Sequence, residues 1–155
     1  MARRVFFSFH YQHDIWRVNQ IRNIPNVTGS AAAGFVDASL WEEARKKGDA
    51  SIKKLIDDGL MNTSVTVVFV GEKTAGRKYI NYEIDQSIAR GNGIVAVQIH
   101  HLKVPNGNVD SPGAIPAKIE AGGSKAYKYV DIDRLATWIE DAAKAAGKAA
   151  KAAGK

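Results

Sequence analysis

Ser64-Val65-Thr66-Val67-Val68-Phe69-Val70 is an almost unbroken run of β-branched and aromatic residues, followed by the polar Gly71-Glu72-Lys73-Thr74-Ala75-Gly76-Arg77 and then by Lys78-Tyr79-Ile80-Asn81-Tyr82-Glu83-Ile84. Near-continuous apolarity over strand length suits a strand covered on both faces. The loop then leads into a helix from about Lys78 to Ala89, closed by Gly91-Asn92-Gly93. Working outward, Ile94 to His100 reads as a second buried strand, and Asp49 to Leu60 as an amphipathic helix with Ile52, Leu55, Ile56 and Leu60 at spacings of three and four. Val5 to Tyr11 reads as the first strand, and Asp14 as the N-cap of a helix through Arg22. A short strand is expected at Gly34 to Asp37 and a last one at Ala126 to Val130, with a closing helix from near Asp133.

Strands alternating with amphipathic helices predict an α/β fold: a doubly wound, flavodoxin-like sheet of five parallel strands with helices on both faces. Such sheets bind ligands outside the carboxyl ends of their strands, so the loops after residues 11, 37, 70 and 100 should form one rim. Of 155 residues, 45% are hydrophobic and 25% charged, which is a globular composition. The net charge of +6 suggests nucleic acid until its location is read. Residues 142–155 hold four lysines and no acid, which leaves 18 basic and 16 acidic residues elsewhere. The division expected is one folded domain over 1–141 and an Ala/Lys-rich tail over 142–155, helical extension or disordered, with nucleic acid disfavoured as a partner. No apolar run approaches the ~20 residues of a membrane span, so cytoplasmic residence without membrane contact is the default. Zero cysteines exclude disulfides, thiol nucleophiles and sulfur-ligated zinc.

Gly71 and Gly76 have the separation of a phosphate-binding P-loop, but that pattern wants lysine and then a hydroxyl where this chain has Arg77 and Lys78. The segment is therefore read as an ordinary polar loop. No GxGxxG fingerprint exists, which argues against dehydrogenase-type dinucleotide binding. The histidines fall in two pairs at strand ends, His10 with His13 and His100 with His101. Adjacent His100 and His101 would point apart in a continuing strand, so no metal is expected, and His10 alone is assigned a polar or ligand-contacting role. Tyr79 and Glu83 lie four residues apart and share a helical face, which suits a stacked base beside a sugar. Spacing alone favours the plainer reading, in which Tyr79 packs and Glu83 pairs with Arg77 or Lys78 in solvent. Trp16, Trp41 and Trp138 are read as packing residues.

The segments VFFSFHYQHDIWRVNQIRN (5–23), DASLWEEARKKGDASIKKLID (37–57), TSVTVVFVGEKTAGRKYINYEI (63–84) and IHHLKVPNGN (99–108) resemble, in this order, the TIR-like domain family that includes the TIR protein of the Thoeris anti-phage system. The resemblance covers about residues 3 to 132. It implies the TIR version of the flavodoxin-like fold, with Glu83 at the position of the catalytic glutamate of NAD-consuming TIR domains and Tyr79 in place of the usual tryptophan. It further implies that Ser8, Phe9 and His10, and the loop holding Asp37 and Ser39, border the substrate. NAD would be substrate rather than cofactor, with no metal. The product, by resemblance an ADP-ribose-derived nucleotide signal of cyclic form, would reach an effector protein, with self-association left open. The competing class is a non-catalytic TIR-like interaction module using the same rim.

Overall fold

The computed structural model describes residues 3–21, 24, 27–30 and 39–147. Its elements are β1 (Arg3–Ser8), α1 (Tyr11–Val18), β2 (Val27–Ser30), α2 (Ser39–Lys47), α3 (Asp49–Leu60), β3 (Val65–Val70), α4 (Lys78–Ala89), β4 (Gly93–Gln98), α5 (Ala117–Ala121), β5 (Lys125–Lys128) and α6 (Ile132–Ala145). The strands form one sheet in the order β2-β1-β3-β4-β5. Every neighbouring pair is parallel, with Val5 opposite Val65 and Val65 opposite Gly93. This is the doubly wound order whose ligand crevice opens where β1 and β3 part company at their carboxyl ends.

All six residues of β3 are buried. Its odd positions Val65, Val67 and Phe69 join Val5 and Phe7 in a core closed by Val18 and Ile21 on one side and by Leu135, Ile139 and Ala143 of α6 on the other. The even positions face the opposite layer. There Phe6 packs on Ala44, Ile52, Ile56 and Leu60, while Val68 and Val70 pack on Ile80, Ile84 and Ile119. Period-two alternation thus sorts the strand side chains between two helical layers. Arg3 clamps the start of β1 to α6 by donating from Nε and Nη2 to Glu140 at 3.0 and 2.8 Å.

The structure departs from the sequence expectations in several places. The strand expected at Gly34 to Asp37 lies outside the described residues; the edge strand β2 is Val27–Ser30, which the polar composition of that stretch concealed. An edge strand has only one covered neighbour, so apolarity marks it weakly. Asp14 does not cap α1. His10 occupies the N-cap position and Asp14 lies in the first turn, fully buried. Trp16, read as packing, is 59% exposed. The closing helix contains residues 142–145 of the tail, whose residues 148–155 lie outside the described ones. No helix among the described residues is long and apolar enough to cross a membrane.

Gly93 starts β4 directly beneath α6, where an added Cβ would overlap the Ala142 carbonyl. Gly93→Ala must push α6 away from the sheet, at a cost of about 1–3 kcal/mol. For a chain of this size that is a Tm lowered by roughly 2–12 °C in thermal unfolding; an unchanged Tm would mean that α6 does not approach the strand this closely.

Candidate active site

Ser8 is an even position of β1, so its side chain emerges on the α4 side, at the last residue before the rim. On α4 the buried residues are Ile80, Glu83, Ile84 and Ser87, a three-four spacing in which Glu83 takes a place that apolar residues fill elsewhere on the stripe. The two elements meet through Ser8 Oγ, which donates to Glu83 Oε1 at 2.5 Å. Glu83 is only 5% exposed and Ser8 is completely buried. One turn further, Ser87 Oγ donates to the Glu83 carbonyl at 2.7 Å and lies 2.7 Å from Thr66 Oγ1, so a short polar seam runs beneath α4.

Burial pushes the Glu83 carboxyl up from an ordinary 4.5 to about 8, with the Ser8 hydroxyl opposing only in part. At neutral pH the group is mostly protonated. Neither Arg77 nor Lys78 is its partner, which overturns the solvent ion pair that spacing favoured; Lys78 Nζ instead lies 2.8 Å from Asp49 Oδ1. Tyr79 packs against the α3 layer and donates its hydroxyl to the same Asp49 oxygen at 2.7 Å. Asp49 is held well below the usual carboxylate range by the Lys78 and Tyr79 hydrogen bonds. Tyr79 and Glu83 therefore share a helix, but Tyr79 also ties α4 to the start of α3.

Phe9 is 8% exposed and belongs to the core beneath the rim. His10 is half-buried, its basicity depressed by burial and by the nearby Arg77, His13 and Lys73 charges, so it is neutral near pH 7. Asp37 lies outside the described residues, and Ser39 is the first residue of α2. The Gly71–Arg77 loop closes on itself: the Gly71 amide donates to Thr74 Oγ1 at 2.8 Å and Arg77 Nε to the Lys73 carbonyl at 3.1 Å. Lys73 and Arg77 are exposed, and among the described residues no carboxylate pairs with either.

Sequence reasoning missed a second set of polar residues on the rim. His13 Nε2 lies 2.6 Å from Asp110 Oδ2, and Arg17 Nη1 lies 3.0 Å from that oxygen and 3.4 Å from Asp14 Oδ1. The pairing of His13 with Asp110 spans 97 positions and leaves no trace in local pattern. His13, Asp14 and Asp110 bring potential metal-ligand atoms within 4.8 Å of one another. The Arg17 guanidinium already supplies positive charge there. His100 is buried past the end of β4, and His101 Nε2 lies 2.8 Å from the Tyr129 carbonyl.

The chemistry available at the Glu83 end is that of a desolvated carboxyl group, held by one hydroxyl, between the carboxyl end of β1 and α4. Such a group can exchange its proton for a substrate's positive charge. Residues 6–104 match the family model described as Thoeris protein ThsB, TIR-like domain. The chain is also 49% identical over 118 residues to a Bacillus cereus (strain MSX-D12) protein named "Putative cyclic ADP-D-ribose synthase ThsB1". The aligned part is 75% of this chain and 62% of that relative, so the chain spans about three fifths of the relative's length. With the match running through β1, β3, α4 and β4, the chain belongs to the Thoeris ThsB TIR-like domain family.

Proposed function

We propose that this chain consumes NAD: it cleaves the bond between nicotinamide and ribose and passes the ribosyl carbon to an acceptor, making an ADP-ribose-derived, cyclic signal that activates an effector in anti-phage defence. The relative's name supports the cyclic product, and the family supports the defence setting. The observation that carries the reading is the buried Glu83 carboxyl bonded to Ser8 at the carboxyl end of β1.

Nicotinamide in NAD is already cationic and leaves as a neutral molecule, so bond cleavage moves positive charge onto the ribose as an oxocarbenium ion. A carboxylate placed beside that carbon stabilises the developing charge, and the low dielectric around Glu83 strengthens the attraction. The same low dielectric holds Glu83 protonated in the empty site. Cationic substrate reverses the balance: its charge favours the ionised carboxylate, so binding expels the proton. Ser8 keeps the carboxyl oriented through this change because its hydroxyl donates to Oε1. Lys73 and Arg77 follow the carboxyl end of β3 close enough to His10 to depress its basicity, and these cations suit the diphosphate of a dinucleotide.

Three outcomes test the reading. Purified protein incubated with NAD, with and without phage-infected lysate as trigger, should release nicotinamide, while Glu83→Gln should fall by about 10²–10³-fold. Equal release by both would remove Glu83 from the chemistry, and release by neither would favour a TIR-like interaction module. The dependence of kcat/KM on pH should rise about tenfold per unit below an apparent pKa near 8 and level off above it, because the free site must lose the Glu83 proton.

Stability should move oppositely. The folded-state pKa is raised, so the contribution of this carboxyl is fully present below pH 4.5 and is lost as pH rises through about 8. Glu83→Gln removes the charging step. Its Tm should therefore exceed that of the wild type by an amount that grows from pH 5 to pH 8 and is constant beyond, equivalent to a few kcal/mol at most. A variant less stable than wild type at pH 9 would show that the carboxylate is better solvated than its burial indicates.

A further inference from the structure

A second concave surface lies at the end of the sheet away from Ser8. β4 begins before its pairing with β5 does: Val65 of β3 is opposite Gly93, whereas Lys125 of β5 is first met by Val95. This step leaves a cavity of about 580 Å³ between the end of α4, the turn from α5 into β5, and α6. Its size is that of a site for a small organic ligand. The walls are mostly apolar. Ile94 and Ile88, the latter 52% exposed, belong to the α4 side of the sheet, and Tyr127 and Trp138 to the α6 side, where their rings stack in parallel at 4.3 Å.

Asn92 lines this cavity and is only 8% exposed. Its neighbours fix which way its amide points. Thr63 Oγ1 donates to the Leu60 carbonyl at 2.6 Å, so toward Asn92 it accepts, and the atom 3.0 Å away is Nδ2. Ser87 Oγ likewise gives its hydrogen to the Glu83 carbonyl, so the Thr66 hydroxyl donates to Ser87 and accepts from Asn92 Nδ2 at 3.3 Å. Both amide hydrogens are thereby committed. Among the described residues nothing donates to Asn92 Oδ1. A nearly buried acceptor without a donor costs stability, and the cavity is the side from which a donor can come.

The rim adds charge. Lys118 is held by Asp85 at 2.6 Å, whereas Lys125 and the Asp141 carboxylate of α6 have no ion pair among the described residues. An occupant that satisfies these groups has a flat ring for the Trp138 and Tyr127 wall, a hydrogen-bond donor on that ring for Asn92, hydroxyls for Asp141 and an anion for Lys125. We propose that the cavity binds a purine nucleotide: a donor on the base, such as the amine of adenine, meets Asn92 Oδ1, the ribose hydroxyls donate to Asp141 and the phosphate meets Lys125. The site is separate from Glu83 and does not depend on NAD being consumed.

Calorimetric titration of the full chain with AMP, with purine riboside 5′-monophosphate and with ribose 5-phosphate tests this. AMP should bind saturably. The purine riboside nucleotide lacks the amine and should bind at least about tenfold more weakly, because Asn92 Oδ1 then faces a ring with no donor. Ribose 5-phosphate should give no saturable heat. The ligand is varied in place of Asn92 because that side chain also holds Thr63 and Thr66. Ala145→Trp, which fills the cavity from the exposed last turn of α6, should abolish AMP binding, and Lys125→Glu should weaken it at least about tenfold. Arg77→Ala, at the start of α4, should leave AMP binding unchanged. No saturable AMP binding by the wild type overturns the inference. So does equal affinity for the two purine nucleotides, binding that survives both Ala145→Trp and Lys125→Glu, or binding lost in Arg77→Ala. None of these results touches the NAD-consuming reading, which is judged on nicotinamide release by the wild type and Glu83→Gln.

Discussion

A strand with no solvent-facing side dictates this architecture. Every side chain of β3 is buried, so both faces of the sheet must be covered. Parallel pairing of β3 with β1 and β4 supplies the crossover helices that do so. The alternation that follows sends Phe7 and Phe69 toward α1 and α6, where their rings stack at 5.4 Å, and sends Phe6 and Ser8 toward α3 and α4. Placement of Ser8 next to Glu83 is thus a consequence of strand parity combined with the β1–β3 register.

Against that background the seam beneath α4 is costly by construction. A stripe of Ile80, Ile84 and two more apolar residues would pack the helix at least as well as one carrying Glu83 and Ser87. The fold instead accepts a carboxyl that stays neutral at pH 7 and satisfies it with one hydroxyl. Desolvation that disfavours the ionised carboxyl would, in the proposed reaction, also strengthen its attraction to a cationic substrate, which would couple stability to catalysis through one group.

The rim on the other side of β1 is organised by a different economy. Arg17 is buried with Asp14 and reaches Asp110 and the Leu102 carbonyl, joining α1 to the long connection after β4. Ser111 donates its amide to Glu72, which links that connection to the loop after β3. Three segments distant in sequence are thus tied at the rim, α1 to the connection after β4 by the Arg17 ion pairs and that connection to the loop after β3 by one amide–carboxylate hydrogen bond.

Much of this was legible from residues alone. β3, α3 and α4 were bounded to within about one residue because their apolar periods are strong and glycine-bounded turns interrupt them. The edge strand β2 went unread because it is polar, and the start of α1 was set too late because it follows a buried strand after only two residues and without a capping side chain. Family resemblance singled out Glu83 as the candidate, while spacing alone put it in solvent, where the structure does not place it. The sequence by itself determined the alternation of strands and helices and hence a doubly wound sheet, because hydrophobic period is a local property of the chain. Only the tertiary structure decided that Glu83 is buried against Ser8 and that His13 meets Asp110. Those contacts join residues 75 and 97 positions apart, and the burial that sets their proton affinities exists only once the layers close over them.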